Sequence, residues 1–405
     1  MSTKKWMIIG ILFVMMSTYC LTAMVNAAEV TAQINVGQWS KGIAYDSKKG
    51  EIFVSNSGTN NVSVINVSTN SVVATVLIGA LPGGVAYDPD RNEIYVANSR
   101  DGTVSVISDK DNTVAATIPV GVWPYALAYD AAKGEMYVGN SNYENATASG
   151  STAFVCTVSV ISDTTHTVTH TINVGSAPTG IAYDSATGEM YVSNSLSMTI
   201  SVISNYEVKR TIDMEGYPIG GIIYAKGEII APNPGGACVS IVSDQDYSIT
   251  KVYLGANGVQ PGGIAYNSAK GEIYVGANHL FVISDKDNSI IAEDNHTLGA
   301  FIYDPTNTLI YSTGGSTVTV LTSSFTYKTT PPSNPTNPTN PTNPTTPTNP
   351  SNPTTPTTPS NPTTPPTASA PPNVGRFLVF IILIIIPIVV IILAIYRRKR
   401  KHNKQ

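Results

Sequence analysis

The 405-residue sequence predicts an all-β fold, a closed seven-bladed β-propeller, and two observations lead to this prediction. The first is a unit, GIAYDSKKGEIFVSNS at Gly42 to Ser57, of which seven copies with small changes extend to about Tyr303. The second is the spacing of 42, 42, 54, 41, 42 and 37 residues between the aligned tyrosines, which are Tyr45, Tyr87, Tyr129, Tyr183, Tyr224, Tyr266 and Tyr303. A strand-rich period of about 40 to 45 residues is the length of one four-stranded propeller blade.

Residues 1–27 have the pattern of a signal peptide. Lys4 and Lys5 precede an apolar run, and Val25-Asn26-Ala27 supplies the residues that a cleavage site requires at its −3 and −1 positions. We therefore expect cleavage near Ala27. An uncleaved amino-terminal anchor is the alternative, but the apolar run is short for a membrane span.

Residues 28–328 are predicted to form the propeller, with its first strand closing the ring. The segment that starts at Ala28, AEVTAQINVGQWSKG, resembles the ends of repeats one and two. It is thus predicted to be the fourth strand of a blade whose other strands lie in Phe301 to Leu321. Closure of this kind removes the exposed edges of an open array. Ser324 to Lys328, SFTYK, competes for the same role, although it does not match the repeat.

Each repeat is expected to contain four strands, which in repeat one are Gly42 to Tyr45, Glu51 to Ser55, Val62 to Asn66 and Val72 to Ile78. An aspartate recurs at the head of the first turn, at Asp46, Asp88, Asp130, Asp184 and Asp304. Aspartate at such a position accepts hydrogen bonds from the amides of its own turn. Because one carboxylate per blade cannot converge on an ion, we expect turn stabilisation here and no metal site.

An asparagine recurs at the end of the second strand, in FVSN, YVAN, YVGN and YVSN, at Asn56, Asn98, Asn140 and Asn194. In these motifs the chain resembles the YVTN-type β-propeller repeat proteins, which occur on archaeal and bacterial surfaces and include surface-layer-like proteins. The resemblance extends from Ala28 to about Leu321. It implies a cell-surface propeller and says little about function, because propeller blades serve many roles.

The sequence after the repeats predicts a stalk and a membrane anchor. Residues 329–375 are rich in Pro, Thr, Asn and Ser, and their NPT triplets favour a disordered, extended stalk of polyproline II type. Residues 376–396 include twenty consecutive uncharged residues, enough for one transmembrane helix. The basic tail at 397–405 is expected to stay in the cytoplasm, which places the propeller outside the cell.

The charge of the exterior part argues against a nucleic-acid partner. Setting aside the two lysines of the signal and the seven basic residues from Arg376 onward leaves 14 basic residues against 27 acidic ones, a net charge of about −13. Nucleic-acid binding needs a basic face. The expected partners are the membrane and a cell-surface glycan or envelope protein.

Residues suited to catalysis are few. His166 and His170, four positions apart, suggest a metal site, but the equivalent positions in the preceding repeat are Asn112 and Ala116. We therefore predict no metal, no cofactor and no catalytic residue. The alternative is an exported enzyme of lactonase or quinoprotein-dehydrogenase type, which resembles this chain in architecture and uses carboxylates, His or Arg at the channel mouth.

Aromatic residues cluster at the connections between blades. Trp39 and Trp123 occupy the same repeat position, Tyr217 is a third aromatic there, Tyr125 lies nearby, and Tyr143 starts a 12-residue insertion in repeat three. Aromatic faces suit sugar rings. We predict that these five residues form a shallow recognition face for adhesion, surface-layer association or ligand capture. Alternatively, they cover gaps where the blades meet.

Two further sets of residues bear on a surface location. Asn-x-Ser/Thr sequons, the acceptors of N-linked glycosylation, occur at Asn61, Asn66, Asn145 and Asn295. Cys156 and Cys238 lie in blades that are not adjacent, so we expect two separate thiols.

Overall fold

The computed structural model describes residues 28–142, 156–218, 220–255, 259–296 and 298–325. Within these ranges the chain forms 28 β-strands and one 3-10 helix, Pro234–Gly236. No helix in these ranges has the length and apolar character needed to cross a membrane. The predicted signal peptide, stalk, transmembrane helix and cytoplasmic tail all lie outside them.

The first three blades are formed by consecutive strands in antiparallel order. Blade 1 consists of β2 (Ser40–Asp46), β3 (Glu51–Asn56), β4 (Asn61–Asn66) and β5 (Ser71–Leu77). Blade 2 consists of β6 (Pro82–Asp88), β7 (Glu93–Asn98), β8 (Thr103–Ser108) and β9 (Thr113–Pro119). Blade 3 consists of β10 (Pro124–Asp130), β11 (Glu135–Asn140), β12 (Cys156–Ser162) and β13 (Thr167–Val174).

The other four blades follow the same pattern. Blade 4 consists of β14 (Pro178–Asp184), β15 (Glu189–Asn194), β16 (Thr199–Ser204) and β17 (Glu207–Asp213). Blade 5 consists of β18 (Ile223–Ala225), β19 (Glu228–Asn233), β20 (Cys238–Ser243) and β21 (Ile249–Tyr253). Blade 6 consists of β22 (Gly263–Asn267), β23 (Glu272–Gly276), β24 (Leu280–Ser284) and β25 (Ile290–Asp294). Blade 7 consists of β26 (Phe301–Asp304), β27 (Leu309–Gly314), β28 (Thr317–Thr322) and β1 (Val30–Asn35).

The amino-terminal strand closes the ring, as the sequence predicts. β1 pairs antiparallel with β28, in a register that runs from Val30 opposite Leu321 to Asn35 opposite Thr317. Of the competing segment, Ser324 and Phe325 are described and belong to no strand. The remainder of that segment lies outside the described residues.

The core consists of seven apolar clusters, one between each pair of neighbouring blades. In the cluster between blades 7 and 1, for example, Ile34 and Tyr311 pack with Ile52 and Val54. Apolar residues therefore occupy both faces of the inner strands, as expected of sheets that are covered on both sides. No blade buries its apolar residues without its neighbours.

The turns and strand ends also follow from the repeat. The Asp46 Oδ1 accepts hydrogen bonds from the backbone N–H of Lys48 (2.9 Å) and Lys49 (3.1 Å), which confirms the turn prediction. The first strand of blade 1 starts two residues earlier than predicted. A β-bulge between Ser40 and Ile43 lets Ser40 pair with Asn56.

The recurring asparagine holds the second strand to the third. The Asn98 Nδ2 donates hydrogen bonds to the hydroxyl oxygens of Thr103 and Ser105, both at 2.9 Å. The blade connection crosses directly over this side chain, because a Cβ added to Gly79 would lie 2.6 Å from the Asn98 Cγ. The asparagine is thus a structural residue of the blade.

Candidate binding face at the blade connections

The connections that lead into blades 1 to 4 share an unusual backbone conformation. The aligned residues Trp39, Leu81, Trp123 and Ala177 have φ angles of 55°, 51°, 56° and 55°. Such angles are uncommon for residues other than glycine, and for a bulky residue they are a backbone outlier. Since Leu81 and Ala177 share the conformation, it belongs to the connection and is not caused by tryptophan.

Backbone hydrogen bonds hold the two connections that carry tryptophan in place. The Trp39 carbonyl accepts a hydrogen bond from the N–H of Ser57 (3.1 Å), and the Trp123 carbonyl accepts one from the N–H of Ser141 (2.9 Å). Both donors immediately follow the second strand of the same blade. Both tryptophans are therefore carried by a backbone that is anchored next to the side chain.

The aromatic side chains differ in exposure. Trp39 is 65% exposed and Tyr217 is 44% exposed, whereas Trp123 and Tyr125 are partly buried. Val122, next to Trp123, adds an exposed apolar side chain. An indole ring that is 65% exposed contributes little to the filling of a gap between blades, so packing does not account for Trp39.

The central channel opens beside these residues. It has a volume of about 830 Å³ and is lined by the first strands of all seven blades. Glycine allows these strands to approach closely: a Cβ on Gly42 would lie 2.3 Å from the Gly83 carbonyl oxygen, and one on Gly84 would lie 2.4 Å from the Tyr125 carbonyl oxygen. Much of the channel wall is therefore backbone and aliphatic side chain.

Lys41 is the one charged side chain among the described residues that line the channel. Its ammonium lies 5.9 Å from the centre of the Tyr125 ring, a cation–π distance. Lys41 is in blade 1 and Tyr125 is in blade 3. Gly83 occupies the equivalent position in blade 2, and because it has no side chain it does not separate the Lys41 ammonium from the Tyr125 ring. Burial raises the pKa of the Tyr125 phenol, which keeps the group neutral and able to donate a hydrogen bond.

The structure brings some of the predicted site residues together. Trp39 immediately precedes the channel-lining Ser40 and Lys41, and Tyr125 lines the channel itself. Tyr217 covers Gly235, where an added Cβ would lie 2.9 Å from the Tyr217 Cδ2. Among the described aromatics of this face, no two rings stack on each other. Tyr143 lies outside the described residues.

Sequence reasoning missed Lys41. In blades 2, 3 and 4 the equivalent residues are Gly83, Tyr125 and Thr179, so Lys41 brings a charge to a position that is otherwise neutral in these copies. This difference between copies is the signal that identifies it. We name Trp39, Lys41, Trp123, Tyr125 and Tyr217 the connection face.

The two histidines that suggest a metal site have separate partners. The His166 Nε2 lies 2.9 Å from the Glu93 Oε2 of blade 2. His170 stacks on the ring of Tyr206, with ring centres 3.7 Å apart. In the part of the chain that the structure describes, no three His, Cys, Asp or Glu side chains are grouped to hold a metal ion.

A second group of polar side chains lies between blades 2 and 3, near the turn that joins the first two strands of each blade. The Tyr129 hydroxyl donates to the Asp163 Oδ2 at 3.0 Å and lies 3.2 Å from the Asp90 Oδ2 of the preceding blade. Burial raises the pKa of Asp88, and the nearby Asp163 carboxylate raises it further. These groups join neighbouring blades away from the connection face.

The described sequons differ in their surroundings. The Asn66 Oδ1 accepts hydrogen bonds from the N–H of Ser68 (3.0 Å) and Thr69 (3.2 Å), and the Asn61 Oδ1 accepts one from the Asn56 Nδ2 (2.8 Å). Asn295 is exposed, and Asn145 is outside the described residues.

The two cysteines of the propeller, Cys156 and Cys238, are buried and form no disulfide, in agreement with the expectation of separate thiols.

Comparisons with known proteins support the architecture. No family model matches the chain, and no curated protein matches it. Among solved structures, it is similar to the hydrazine synthase of Kuenenia stuttgartiensis, with a TM-score of 0.63, 15% sequence identity, and coverage of 72% of this chain and 97% of that one. At this identity the likeness shows the fold alone. The YVTN assignment remains a resemblance, and the chain is a seven-bladed β-propeller.

Proposed function

We propose that this protein is a membrane-anchored cell-surface propeller that binds a glycan through its connection face. The observation that carries the proposal is Trp39, a large aromatic side chain that is 65% exposed beside the mouth of the channel. An exposed indole on an anchored backbone loses little conformational freedom when it contacts a ligand. The protein then acts in adhesion or in association with the cell envelope.

A sugar fits the chemistry of this face. Saccharides present apolar ring faces to aromatic residues and hydroxyl groups to hydrogen-bonding partners. Around the channel mouth, Thr179 and Gln260 supply such partners, and Lys41 supplies an ammonium donor. The predicted stalk and membrane span would present the propeller to the envelope.

Retention of the purified propeller, residues 28–328, on immobilised envelope polysaccharide tests the proposal. Trp39→Ala and Trp123→Ala should each weaken retention roughly fivefold, since one aromatic contact contributes about 1 kcal/mol. Leu77→Ala is the control, because Leu77 is also an exposed apolar residue and lies on the outer strand of blade 1, away from the connection face. Unchanged retention in both tryptophan variants would rule out this face.

The enzyme alternative draws no specific support from the channel. Lys41 and Tyr125 are the ionisable side chains among its described lining residues. Turnover of lactones or redox dyes by the same purified protein would favour that alternative.

A further inference from the structure

The backbone nitrogen of Ala28 points at a buried carboxylate. Ala28 is 2% exposed, and its nitrogen donates a hydrogen bond to the Asp294 Oδ2 at 2.7 Å. These two residues are 266 positions apart in the sequence. Ala28 immediately follows Ala27, the predicted end of the signal peptide.

Asp294 is nearly inaccessible to water. It is 4% exposed and ends β25, the outer strand of blade 6. Its other carboxylate oxygen, Oδ1, accepts a hydrogen bond from the His296 N–H (3.0 Å) and contacts the His296 Nδ1. Ala28 itself belongs to the apolar cluster between blades 6 and 7, which includes Phe301 and Phe325.

We propose that the mature chain begins at Ala28 and that its new α-ammonium group forms a buried ion pair with Asp294. This inference rests on the predicted cleavage after Ala27, and it is independent of the glycan-binding proposal. A signal peptidase adds one water molecule across the Ala27–Ala28 amide. The C–N bond breaks, Ala27 keeps a carboxylate, and the amine of Ala28 takes up the proton to become an ammonium.

Cleavage changes the charge of the Ala28 nitrogen and the number of N–H groups that it can donate to Asp294. An amide provides one N–H and no net charge, whereas an α-ammonium provides three N–H groups and a full positive charge. A buried carboxylate is costly unless it is paired and hydrogen-bonded. In apolar surroundings the attraction between opposite charges is stronger than in water.

The position of the pair gives it a role in closing the ring. Ala28 lies two residues before β1, which completes blade 7, and Asp294 belongs to blade 6. The next residue also anchors the strand, because the Glu29 N–H donates to the Thr322 Oγ1 at 3.0 Å. Removal of the leader would therefore fasten the closing strand to the neighbouring blade.

The test uses the full chain, made with its own leader in a secreting host and purified from membranes. Amino-terminal sequencing should read Ala28-Glu29-Val30. Brief treatment with an amine-acylating reagent should then modify the Ala28 amine on the order of 100-fold more slowly than the exposed Lys41, because a buried amine reacts only after local opening.

Two variants distinguish the effect of the ion pair on the acylation rate from the effect of burial. Asp294→Asn should speed acylation of Ala28 about tenfold, and insertion of Gly-Ser between Ala27 and Ala28 should bring the new, displaced amino-terminal amine at least to the rate of Lys41, because an exposed α-amine is less basic than a lysine amine. Glu207→Gln, which removes one exposed carboxylate from β17, should change neither rate. If Asp294→Asn does not fold, Asp294→Glu takes its place, because it keeps a carboxylate but displaces it, and it should likewise speed acylation of Ala28.

A mature amino terminus at any other residue would overturn the inference. So would an Ala28 amine that reacts as fast as Lys41 in the wild type, or an amino-terminal amine whose rate is unchanged in either folded variant, since an unchanged rate in Asp294→Asn would mean burial without an ion pair.

Discussion

At the scale of single residues, the glycines of the first strands set how closely the blades approach around the channel. A Cβ on Gly84 would lie 2.4 Å from the Tyr125 carbonyl oxygen, and one on Gly180 would lie 2.4 Å from the Gly220 carbonyl oxygen. In each case the nearest atom is a backbone oxygen in or just before the next blade, which cannot move aside as a flexible side chain can. These glycines therefore have a structural role in the channel wall.

Gly84→Ala should lower the free energy of unfolding by about 1–3 kcal/mol, because the added methyl group overpacks the channel wall. Urea denaturation measures the change. Gly221→Ala is the control, in the connection just before blade 5, where an added Cβ has no atom within 4 Å. Equal losses in the two variants would contradict the close-approach argument.

Sequence reasoning succeeded where one residue performs the same local task in every copy. The aspartate of the first turn is such a case, since its partners are amides two and three residues away. It did not identify the partners of Asn98, which come from another strand, or the pairing of Lys41 with Tyr125 across an intervening blade. The first contact depends on the register between two strands of one blade and the second on the ring geometry, and a repeat period contains neither.

At the scale of the blade, polar groups join neighbouring sheets near the first turn. The Asp88 Oδ1 accepts hydrogen bonds from the N–H of Asp90 (2.8 Å) and Arg91 (3.1 Å). Burial nevertheless raises the pKa of Asp88 above its ordinary value of 3.8. The charged form of Asp88 is therefore disfavoured in the folded protein, and protonation stabilises the fold.

Asp88→Asn should raise the melting temperature at pH 7, because asparagine keeps the turn acceptor and removes the buried charge. The natural precedent is Asn267 in blade 6, whose Oδ1 accepts a hydrogen bond from the Lys270 N–H (3.3 Å). The advantage over the wild type should disappear as the pH falls through the raised pKa toward 3.8, since Asp88 then becomes neutral.

Melting curves between pH 7 and pH 3 measure this difference. Asp111→Asn is the control, because a hydrogen bond from Thr113 lowers the pKa of that exposed aspartate, so its charged form is favoured in the fold. Asp111→Asn should not raise the melting temperature. A melting-temperature gain for Asp88→Asn that is the same at every pH would contradict the assignment.

At the scale of the whole molecule, the pairing of β1 with β28 converts a linear array into a ring. Deleting residues 28–35 from the propeller should expose the edge of β28 and promote association between copies. The loss of the buried Ile34 alone should cost about 1.5–3 kcal/mol. Size-exclusion chromatography and urea denaturation measure both effects.

The matched truncation ends the propeller at residue 325 and removes the rest of the competing segment. It should leave the elution volume and the stability unchanged. The opposite pattern, a stable deletion of β1 and an unstable truncation at 325, would contradict closure by the amino-terminal strand.

The ring was predictable from the sequence because the repeat period, strand length and the match of Ala28 to Gly42 with the ends of other repeats all point to it. The exposure of individual side chains at the surface was harder to predict. Equivalent positions place Trp39 and Trp123 on the same kind of connection, yet Trp39 is 65% exposed and Trp123 is partly buried. Exposure depends on neighbouring blades, which the alignment of copies does not reveal.

The central claim is that repeated residues build the ring, whereas residues that differ between copies form the binding face. Carbene footprinting of the propeller with and without envelope polysaccharide tests it most directly. We predict protection at Trp39, Lys41, Trp123, Tyr125 and Tyr217 and at the neighbouring channel-mouth residues Thr179 and Gln260. Protection at the first turns around Asp88 and Asp130, or along the outer strands, with the connection face unprotected, would contradict the account.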